Sequence, residues 1–558
     1  MWRTSYRAFT TGKKPLPRLS RTLASSAKQF PRRSLGAVFV AGLGAALVCT
    51  QLPHRQQLSS ESPALPKRIV PVDEFVKHNR PDDCWVAIRG QVYDMTEFLP
   101  QHPGGQSPII RYSGHDATEL FEQLHPKGTI EKNLPKDKHL GQLDGPAPTL
   151  EVAEDEFEEE RLENVANMPN VNEVMNLHDF EYIAKKILPK GAWAYYSSGA
   201  DDEVSMRENH YAYQRIYFRP RVLVDVSKVD TSTTLLGTPT SVPFYVSATA
   251  LAKLGHPDGE CSIARGAGKE GVIQMISTLA SNSLEEIAEA RVPGATQWFQ
   301  LYVNEDRNVA FEMVKKAERL GIKAIFVTVD APSLGNREKD ARVKFEGESD
   351  VQKSNEVVRS QGASRALSSF IDTRLTWDDV IKIKQSTKLP VLIKGVQRLE
   401  DVVRAVDDGF DGVVLSNHGG RQLDTAPPPV ELLAEVVPEL KRRNKLRPDF
   451  EIFIDGGVRR GTDILKALAL GGQNVRVGVG LGRPFLYANS AYGENGVRKA
   501  IQLLKDELEM DMRLLGVRNL RELDETFVDT RRLIGRDAPD ELYNQLYSPL
   551  KTVKFRNE

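Results

Sequence analysis

The sequence contains little cysteine, and its charges nearly balance. Its 558 residues include three cysteines, Cys49, Cys84 and Cys261, and no two of them form a CxxC pair. This argues against a disulfide framework and against a zinc site. The formal net charge of -1 argues against a nucleic-acid-binding protein, which normally carries a basic excess. A chain of this length with 40% hydrophobic and 27% charged residues predicts a globular protein of two or more domains.

Acidic residues are missing from the start of the chain, where the first one is Glu61. Arginine, lysine, serine and threonine accumulate there, which predicts a mitochondrial presequence over residues 1–60. Within it, the uncharged stretch Leu35–Thr50 is short for a membrane span. It is either a permanent anchor or a sorting signal that is cleaved. We favour the sorting signal, because basic targeting precedes it and soluble segments follow, and this predicts that the mature protein resides in the mitochondrial intermembrane space.

Composition divides the remaining chain into four parts. Residues 68–145 form a compact mixed segment, in which Cys84–Met95 predicts two short strands. Residues 146–170 are rich in acids and predict a solvated linker or an exposed helix, with a flexible hinge at Glu151–Glu160. An α/β segment follows at 171–535, and the last residues, 536–558, form a tail.

The α/β segment repeats a short apolar run followed by a helical stretch, eight times over. This pattern predicts a parallel (β/α)8 TIM barrel, and polar residues at the strand ends mark its active-site face. The alternative is a doubly wound sheet, but no GxGxxG motif follows an early strand. The eight runs are residues 243–250, 272–278, 296–303, 323–330, 390–396, 412–420, 451–457 and 475–484.

One connection, residues 331–370, is unusually long and polar. It is either a disordered surface insertion or a lid over the active site. We expect a mobile, protease-sensitive loop. A second irregularity is the stretch LGGQNVRVGV before GLGRPF, which makes the register of the eighth strand uncertain.

The first segment carries HPGG at residues 102–105 and a second histidine, His125, in a helical stretch. With DDCWVAIRGQVYDMTEFLPQHPGG and GHDATELF, the segment resembles the cytochrome b5 family. The resemblance implies a small α+β domain that binds haem b with His102 and His125 as the iron ligands. His115 is the competing second ligand. Two imidazoles fill both axial positions, so the iron carries electrons without binding substrate.

The barrel segment carries AWAYYSSGADDE, PFYVSATA, QLYV, VTVDAPSLGNRE, IKGV, SNHGGRQLD, DGGVRRGTD and GLGRPFLY in this order. In these motifs it resembles the FMN-dependent 2-hydroxy-acid oxidising family, which includes glycolate oxidase, mandelate dehydrogenase and flavocytochrome b2. A haem domain placed ahead of the barrel narrows the resemblance to the flavocytochrome b2 type. The chain is therefore expected to be an oxidoreductase with FMN and haem b as cofactors.

The resemblance also implies the roles of individual residues. His418 would take a proton, which suits an imidazole tunable near neutral pH, and Asp330 would stabilise the resulting imidazolium. Arg421 would grip the substrate carboxylate with two parallel hydrogen bonds, and Tyr302 would bond the substrate oxygen and join the catalytic set. The substrate-binding positions implied in this way are Tyr195, Tyr302, Arg337, Arg421, Leu279 and Ala250.

The flavin needs a phosphate site and a positive charge beside its ring. Glycine amides and an arginine near the last two strands suit a phosphate, and Lys394 suits the reduced ring. The resemblance implies FMN contacts at Ser247, Ala248, Thr249, Ala250, Ser277, Gln300, Thr328, Lys394, Asp455, Gly456, Gly457, Val458, Arg459, Gly482 and Arg483.

The activity implied is oxidation of L-lactate to pyruvate, with single electrons passing through the haem to cytochrome c. Either a Cα proton or a hydroxyl proton could go to His418, and both remain open. Leu279 and Ala250 leave room for a methyl group, which favours lactate. The alternative substrates are glycolate and mandelate. A non-catalytic electron carrier that uses the haem segment alone is a third possibility. The family further implies a homotetramer.

Overall fold

The computed structural model describes residues 68–102, 106–149, 156–345 and 372–533. The predicted presequence with its apolar stretch Leu35–Thr50 lies outside these ranges, as does the predicted tail 536–558. Within the described ranges, no helix combines the length and the apolar character needed to cross a membrane.

The first domain is a small sheet with short helices beside it. Its strands lie in the order β1-β5-β4-β3-β2. The two strands predicted within Cys84–Met95 are β3 and β4, and they join through Arg89 and Gly90, both at positive φ, as a tight hairpin requires. The elements are β1 Ile69–Val70, α1 Val72–Phe75, β2 Asn79–Arg80, β3 Asp83–Ile88, β4 Gln91–Asp94, α2 Ser107–Arg111, α3 Thr118–Leu124, α4 Thr129–Asn133 and β5 His139–Leu143.

The acidic segment is helical over Glu156–Ala166 (α5), and this helix packs against α6, Leu177–Ile187. Arg161 donates a hydrogen bond of 2.9 Å to the carbonyl oxygen of Ile187, and Lys186 forms an ion pair of 2.9 Å with Glu160. The second half of the predicted hinge is therefore a helix held on the barrel domain. Residues 151–155 lie outside the described part of the chain.

Eight parallel strands close into a barrel among the described residues, which confirms the predicted fold class. They follow the chain order, and the eighth strand pairs with the first. Smaller strands, β6 Tyr217–Phe218, β7 Thr233–Leu235, β8 Thr238–Thr240 and β17 Val528–Asp529, lie outside the barrel. The barrel strands are β9 Phe244–Val246, β10 Gln274–Ser277, β11 Gln297–Leu301, β12 Ile325–Thr328, β13 Val391–Val396, β14 Gly412–Leu415, β15 Glu451–Asp455 and β16 Val477–Leu481.

Helices surround the barrel, and side-chain caps fix several of their starts. Asn176 caps α6, and Ser283 forms a capping box with Glu286 at the start of α10. The last helix bends where Tyr492 and Gly493 leave helical geometry. The helices are α7 Lys190–Ser197, α8 Val204–Gln214, α9 Glu260–Lys269, α10 Leu284–Glu289, α11 Arg307–Arg319, α12 Glu338–Phe345, α13 Trp377–Gln385, α14 Leu399–Asp407, α15 Pro429–Arg442, α16 Gly461–Gly471 and α17 Arg483–Leu515.

The barrel interior contains an apolar layer of side chains and, two residues further along the strands, a polar layer. A buried cluster fills its middle with Tyr245, Met275, Trp298, Phe326, Leu392, Val414 and Phe453. Side chains on the same face of a strand recur every two residues. The next inward positions are Ser247, Ser277, Gln300, Thr328, Lys394, Ser416 and Asp455, all buried. Seven of the eight barrel strands thus lead to a polar side chain above a packed floor, and the eighth, β16, has glycine there.

Two irregular regions of the sequence now have a structure. The described part of the long connection contains α12, a helix in place of the loop that we expected, and residues 346–371 lie outside the described part. The extra residues before the eighth strand form a turn after α16, at the end of β16 opposite the polar layer. The strand itself keeps a continuous pairing with β15 and β9.

Candidate active site and haem pocket

His418 stands at the centre of a hydrogen-bonded set above the barrel. Its Nδ1 lies 2.9 Å from Asp330 Oδ1, and its Nε2 lies 3.3 Å from the hydroxyl of Tyr302. A carboxylate only accepts, so Nδ1 carries the hydrogen and Nε2 is left as the basic nitrogen. Three residues far apart in sequence therefore meet with Nε2 available to receive a proton.

Electrostatics keep His418 in its neutral form. Burial lowers the pKa of His418, and Lys394 lowers it further, while Asp330 acts in the opposite direction. Burial opposes the charge of Asp330, yet His418 and Lys394 outweigh it and hold the pKa of this carboxyl below its usual value. The pair is thus a neutral imidazole beside a carboxylate, the state that a general base requires.

The backbone at His418 is in the left-handed region, with φ of 57°, and Gly419 and Gly420 follow at 64° and 76°. Such a conformation costs a non-glycine residue free energy and is retained where the surroundings impose it. Here the Ser416 hydroxyl accepts a hydrogen bond of 3.0 Å from the His418 amide. The local turn thereby directs the imidazole toward the cavity.

Three buried or half-buried arginines face the same cavity without an acidic partner among the described residues. Arg421 donates to the carbonyl oxygens of Tyr195 and Ser198 at 2.6 and 3.2 Å, and its guanidinium lies over the Tyr195 ring. Burial lowers the pKa of Arg337 and of Arg483 to about 10, with Arg421 adding to the effect, so both stay charged near neutral pH. Unneutralised charge of this kind is suited to anionic ligands.

Lys394 lies between two carboxylates at the end of β13. Its Nζ is 3.4 Å from Asp455 Oδ2 and 3.3 Å from the Ser416 hydroxyl. Burial lowers its pKa, but Asp455 and Asp330 outweigh burial, so the pKa of Lys394 lies above its usual value. The strands thus hold a permanent positive charge in the polar layer.

The turn after β15 presents its backbone to the cavity. Gly456 and Gly457 have φ of 95° and 80°, and a Cβ at Gly457 would lie 2.0 Å from the carbonyl oxygen of Asn209. The helix α17 begins directly after Gly482, with no side-chain cap. Pro484 has no N–H and the amide of Phe485 donates to the carbonyl oxygen of Gly482, so the site for an anion such as phosphate consists of the glycine turn and the positive end of α17 beside Arg483.

The structure brings the predicted barrel residues together around one cavity. All the substrate and FMN positions predicted from the sequence line this cavity. Asp330 does not line it but bonds His418 from behind. Two buried atoms in this lining, Ser247 Oγ and Asp455 Oδ1, have no hydrogen-bond partner among the described residues. Orphaned polar atoms, a lysine charge and a phosphate-type turn fit a bound flavin mononucleotide.

Sequence reasoning missed several residues that the site uses. Tyr196, Leu334, Gly419, Gly480, Leu481, Pro484 and Leu486 also line the cavity. Ser416 bonds both Lys394 and the amide of His418. The period-two rule applied to strand β14 could have found Ser416, because it is the inward residue after Val414. No such periodic pattern in the sequence could have identified Leu334, because it lies in the polar connection and not on a strand.

In the first domain, the rings of His102 and His125 face each other with centroids 6.1 Å apart. An iron atom bonded at about 2 Å to one nitrogen of each imidazole separates the two ring centres by about 6 Å. His125 directs Nδ1 to the carbonyl oxygen of Phe121 at 3.2 Å, leaving Nε2 for a metal. The spacing of the pair fits haem.

The pocket around this pair is apolar. Burial lowers the pKa of His125 to about 4, with His102 contributing, so its ring is neutral as a ligand must be. The buried floor consists of Cys84, Val86, Ile88, Tyr93, Met95, Leu99, Ile130 and Leu134. His115, the competing candidate, also directs Nδ1 to a carbonyl oxygen, that of Ser113 at 2.8 Å, but the ring that lies opposite His102 is that of His125.

The two domains touch beside the cavity. Helix α3, which precedes His125, contacts the short 3₁₀ helix Ala252–Leu254, two residues after Ala250 of the cavity lining. Lys127 and Glu286 add an ion pair of 3.8 Å between the domains. The haem pocket therefore adjoins the face of the barrel that carries the cavity.

Comparison with known proteins identifies both domains. A family described as FMN-dependent dehydrogenase matches residues 184–530, which is more than half of the chain. The chain belongs to the FMN-dependent dehydrogenase family. Residues 71–144 match the cytochrome b5-like haem/steroid binding domain. This family member is therefore an FMN- and haem-dependent oxidoreductase, as the sequence motifs predicted.

Relatives of this dehydrogenase span both domains. L-lactate dehydrogenase (cytochrome) of Wickerhamomyces anomalus is 59% identical, over 86% of this chain and 84% of that protein. The protein of the same name from Saccharomyces cerevisiae is 53% identical, over 90% and 88%. A solved double mutant of flavocytochrome b2 with pyruvate bound gives a TM-score of 0.64 at 54% identity, covering 72% of this chain and 99% of that one.

Proposed function

We propose that this chain oxidises L-lactate to pyruvate and delivers the electrons to cytochrome c. The observation that carries the proposal is that His418, bonded to Asp330 behind it, and Arg421 face a cavity suited to FMN in a chain that also has a haem pocket. The relatives that span both domains at 53–59% identity are named for this activity. Glycolate oxidase of Spinacia oleracea is 43% identical and covers 64% of the chain.

The substrate carboxylate binds to positive charge. Arg421 keeps its Nη1 on backbone carbonyl oxygens, which fixes the guanidinium, and Arg337 lies close by, with its Nε donating to the carbonyl oxygen of Arg421 at 3.4 Å. Fixed donors bind a carboxylate without first having to be ordered. Tyr195 and Tyr302, both buried in the lining, supply hydroxyls for the remaining substrate oxygens.

The proton of the reaction goes to Nε2 of His418. This nitrogen is basic because Nδ1 donates its hydrogen to Asp330, and the carboxylate then stabilises the imidazolium. Burial, with Asp330 nearby, raises the pKa of Tyr302, so this phenol keeps its proton and serves as a hydrogen-bond donor. Bound FMN would supply a two-electron acceptor, and bound haem would supply a one-electron carrier.

Selectivity for lactate rests on the apolar part of the lining. Leu279 and Ala250 leave space for a small side chain, and a methyl group contributes about 1–3 kcal/mol to discrimination. We therefore propose preference for L-lactate over glycolate, which lacks the methyl group, and over mandelate, which carries a phenyl ring.

The proposal extends to location and assembly. The basic first sixty residues support import into mitochondria, and the stretch Leu35–Thr50 supports sorting to the intermembrane space. We also propose a homotetramer, with cytochrome c as its electron-accepting partner. Fractionation of mitochondria and the mass of the purified protein test these two points.

The decisive experiment is anaerobic mixing of the purified holoenzyme with L-lactate, glycolate and mandelate in turn. We expect L-lactate to bleach the flavin fastest and then to reduce the haem, followed by cytochrome c. If glycolate or mandelate bleached the flavin fastest, that acid and not lactate would be the substrate. Bleaching without haem reduction would contradict the electron path.

A further inference from the structure

Gln422 is a buried side chain beside the reacting groups that the proposed mechanism leaves without a role. Only 5% of it is exposed. Its Nε2 donates to the carbonyl oxygens of Asp330 and Ser333 at 3.0 and 2.9 Å. Its Oε1 accepts from the amide of Gly335 at 3.3 Å and from Arg337 at 3.5 Å. One amide therefore bonds four residues of the connection that follows β12.

The two chain segments that Gln422 joins are also packed backbone against backbone. A Cβ at Gly335 would lie 2.6 Å from the carbonyl oxygen of Arg421 and 2.5 Å from that of Gln422. Arg337 Nε also donates to the carbonyl oxygen of Arg421 at 3.4 Å. The connection that carries Asp330 and Arg337 is thus fastened to the turn that carries His418 and Arg421.

Gln422 bonds the main chain of Asp330, and the carboxylate of the same residue bonds His418. A shift of this main chain would change the distance between the imidazole and the carboxylate that stabilises its charge. Gln422 also holds Arg337 near Arg421, although the two guanidinium charges repel each other. No other residue type of this length supplies two donors and an acceptor from one neutral planar group.

We propose that Gln422 is a positioning residue that sets the relative placement of the His418–Arg421 turn and the Asp330–Arg337 connection. It fixes the imidazole against its carboxylate, and it fixes the second arginine of the carboxylate site. The inference rests on the proposed function of these four residues.

The test compares Gln422→Glu with Gln422→Met, each confirmed by its visible spectrum to hold FMN. Ionised glutamate places a second acceptor against the carbonyl oxygens of Asp330 and Ser333, whereas a protonated carboxyl can donate to one of them. Displacement of about 1 Å in an active site lowers the rate on the order of 100-fold. We expect Gln422→Glu to slow flavin bleaching by about 10- to 100-fold at pH 7.5.

The ratio of the Gln422→Glu rate to the wild-type rate should rise severalfold as the pH falls to 5.5, because the protonated side chain regains a donor. The charged group in contact with this side chain is Arg337; Arg421 interacts with Arg337, and the ionisable pair Asp330 and His418 adjoins the main chain that Gln422 bonds. Gln422→Met has no titrating group, so its ratio to wild type should stay low and constant with pH. A glutamate ratio as constant as the methionine ratio would overturn the positioning role.

Gln297 provides the matched control. It is also a buried glutamine that donates to two oxygens, Gln274 Oε1 and the carbonyl oxygen of Ile287, but it lies at the start of β11, away from the cavity. Gln297→Met should lower the melting temperature and leave the flavin-reduction rate unchanged. Wild-type bleaching rates in FMN-loaded Gln422→Met would refute the inference, because the side chain would then only stabilise the fold.

The experiment separates this inference from the proposed function. Wild-type enzyme is first mixed with L-lactate, glycolate and mandelate, and the variants are then measured with whichever acid bleaches the flavin. A change of substrate would contradict the lactate proposal and leave the role of Gln422 testable with the new acid.

Discussion

Replacing Asp330 with asparagine isolates the charge behind the base. The side chain keeps its size and its acceptor oxygen, but it loses the negative charge that lies 2.9 Å from His418 Nδ1. That charge matters most after His418 has taken a proton, so its loss raises the barrier more than it weakens substrate binding. A charge-assisted hydrogen bond contributes about 1.5–3 kcal/mol. The corresponding loss of flavin-reduction rate is about 13- to 160-fold.

The assay is stopped-flow bleaching of the flavin by L-lactate, beside titration of an unreactive carboxylate analogue in the same enzyme. We expect a slow rate with analogue affinity within about threefold of wild type. Asp411→Asn is the matched control, because Asp411 pairs with Lys384 at 2.7 Å and bonds the first residue of β13, at the far end of the barrel. A near-normal bleaching rate in Asp330→Asn would refute base catalysis by His418 supported by this carboxylate.

The remaining predictions concern the haem pair, the carboxylate site and pH. His102→Ala or His125→Ala should abolish cytochrome c reduction while lactate still bleaches the flavin, and His115→Ala should have a mild effect; a variant that retains haem and full turnover would contradict the ligand assignment. Arg421→Lys should weaken analogue binding as well as slow bleaching, since an ammonium lacks the two-pronged grip; unchanged affinity by titration would contradict the clamp. The pKa of His418 lies below its ordinary value of about 6.5, so the base stays competent at neutral pH and is lost as the pH falls through this lowered pKa. Bleaching should therefore be constant above about pH 7 and decline in more acidic buffer, and a decline that begins above pH 7 would disagree with the burial of the imidazole.

The fold was predictable because its signals are local and repeated. Each barrel strand contains a short apolar run, and the alternation of side chains puts Gln300, Thr328 and Lys394 on the face that also bears Trp298 and the other aromatic residues of the interior. The motifs then place these residues at the carboxyl ends of strands, where barrel enzymes have their sites. The domain boundaries and the roles of individual side chains stay predictions.

The parts that sequence reasoning missed depend on long-range contacts. The acidic segment was predicted to be a solvated linker or an exposed helix, and residues 156–166 are helical; what the sequence did not indicate is that Arg161 and Glu160 attach this helix to α6 through Ile187 and Lys186. Gln422 looks like an ordinary polar residue after Arg421 until the folded chain brings the connection after β12 against it. Neither relation has a periodic signature in the sequence.

The turn between α16 and β16 is a suitable place to insert a label into the protein. Its extra residues leave the pairing of β16 intact and lie at the barrel end away from the cavity. Asn474 and Gln473 are exposed there. Changes in chain length at this end of a barrel affect stability more than activity. A fluorescent reporter or an affinity peptide inserted at this position would label the enzyme while its turnover is being watched.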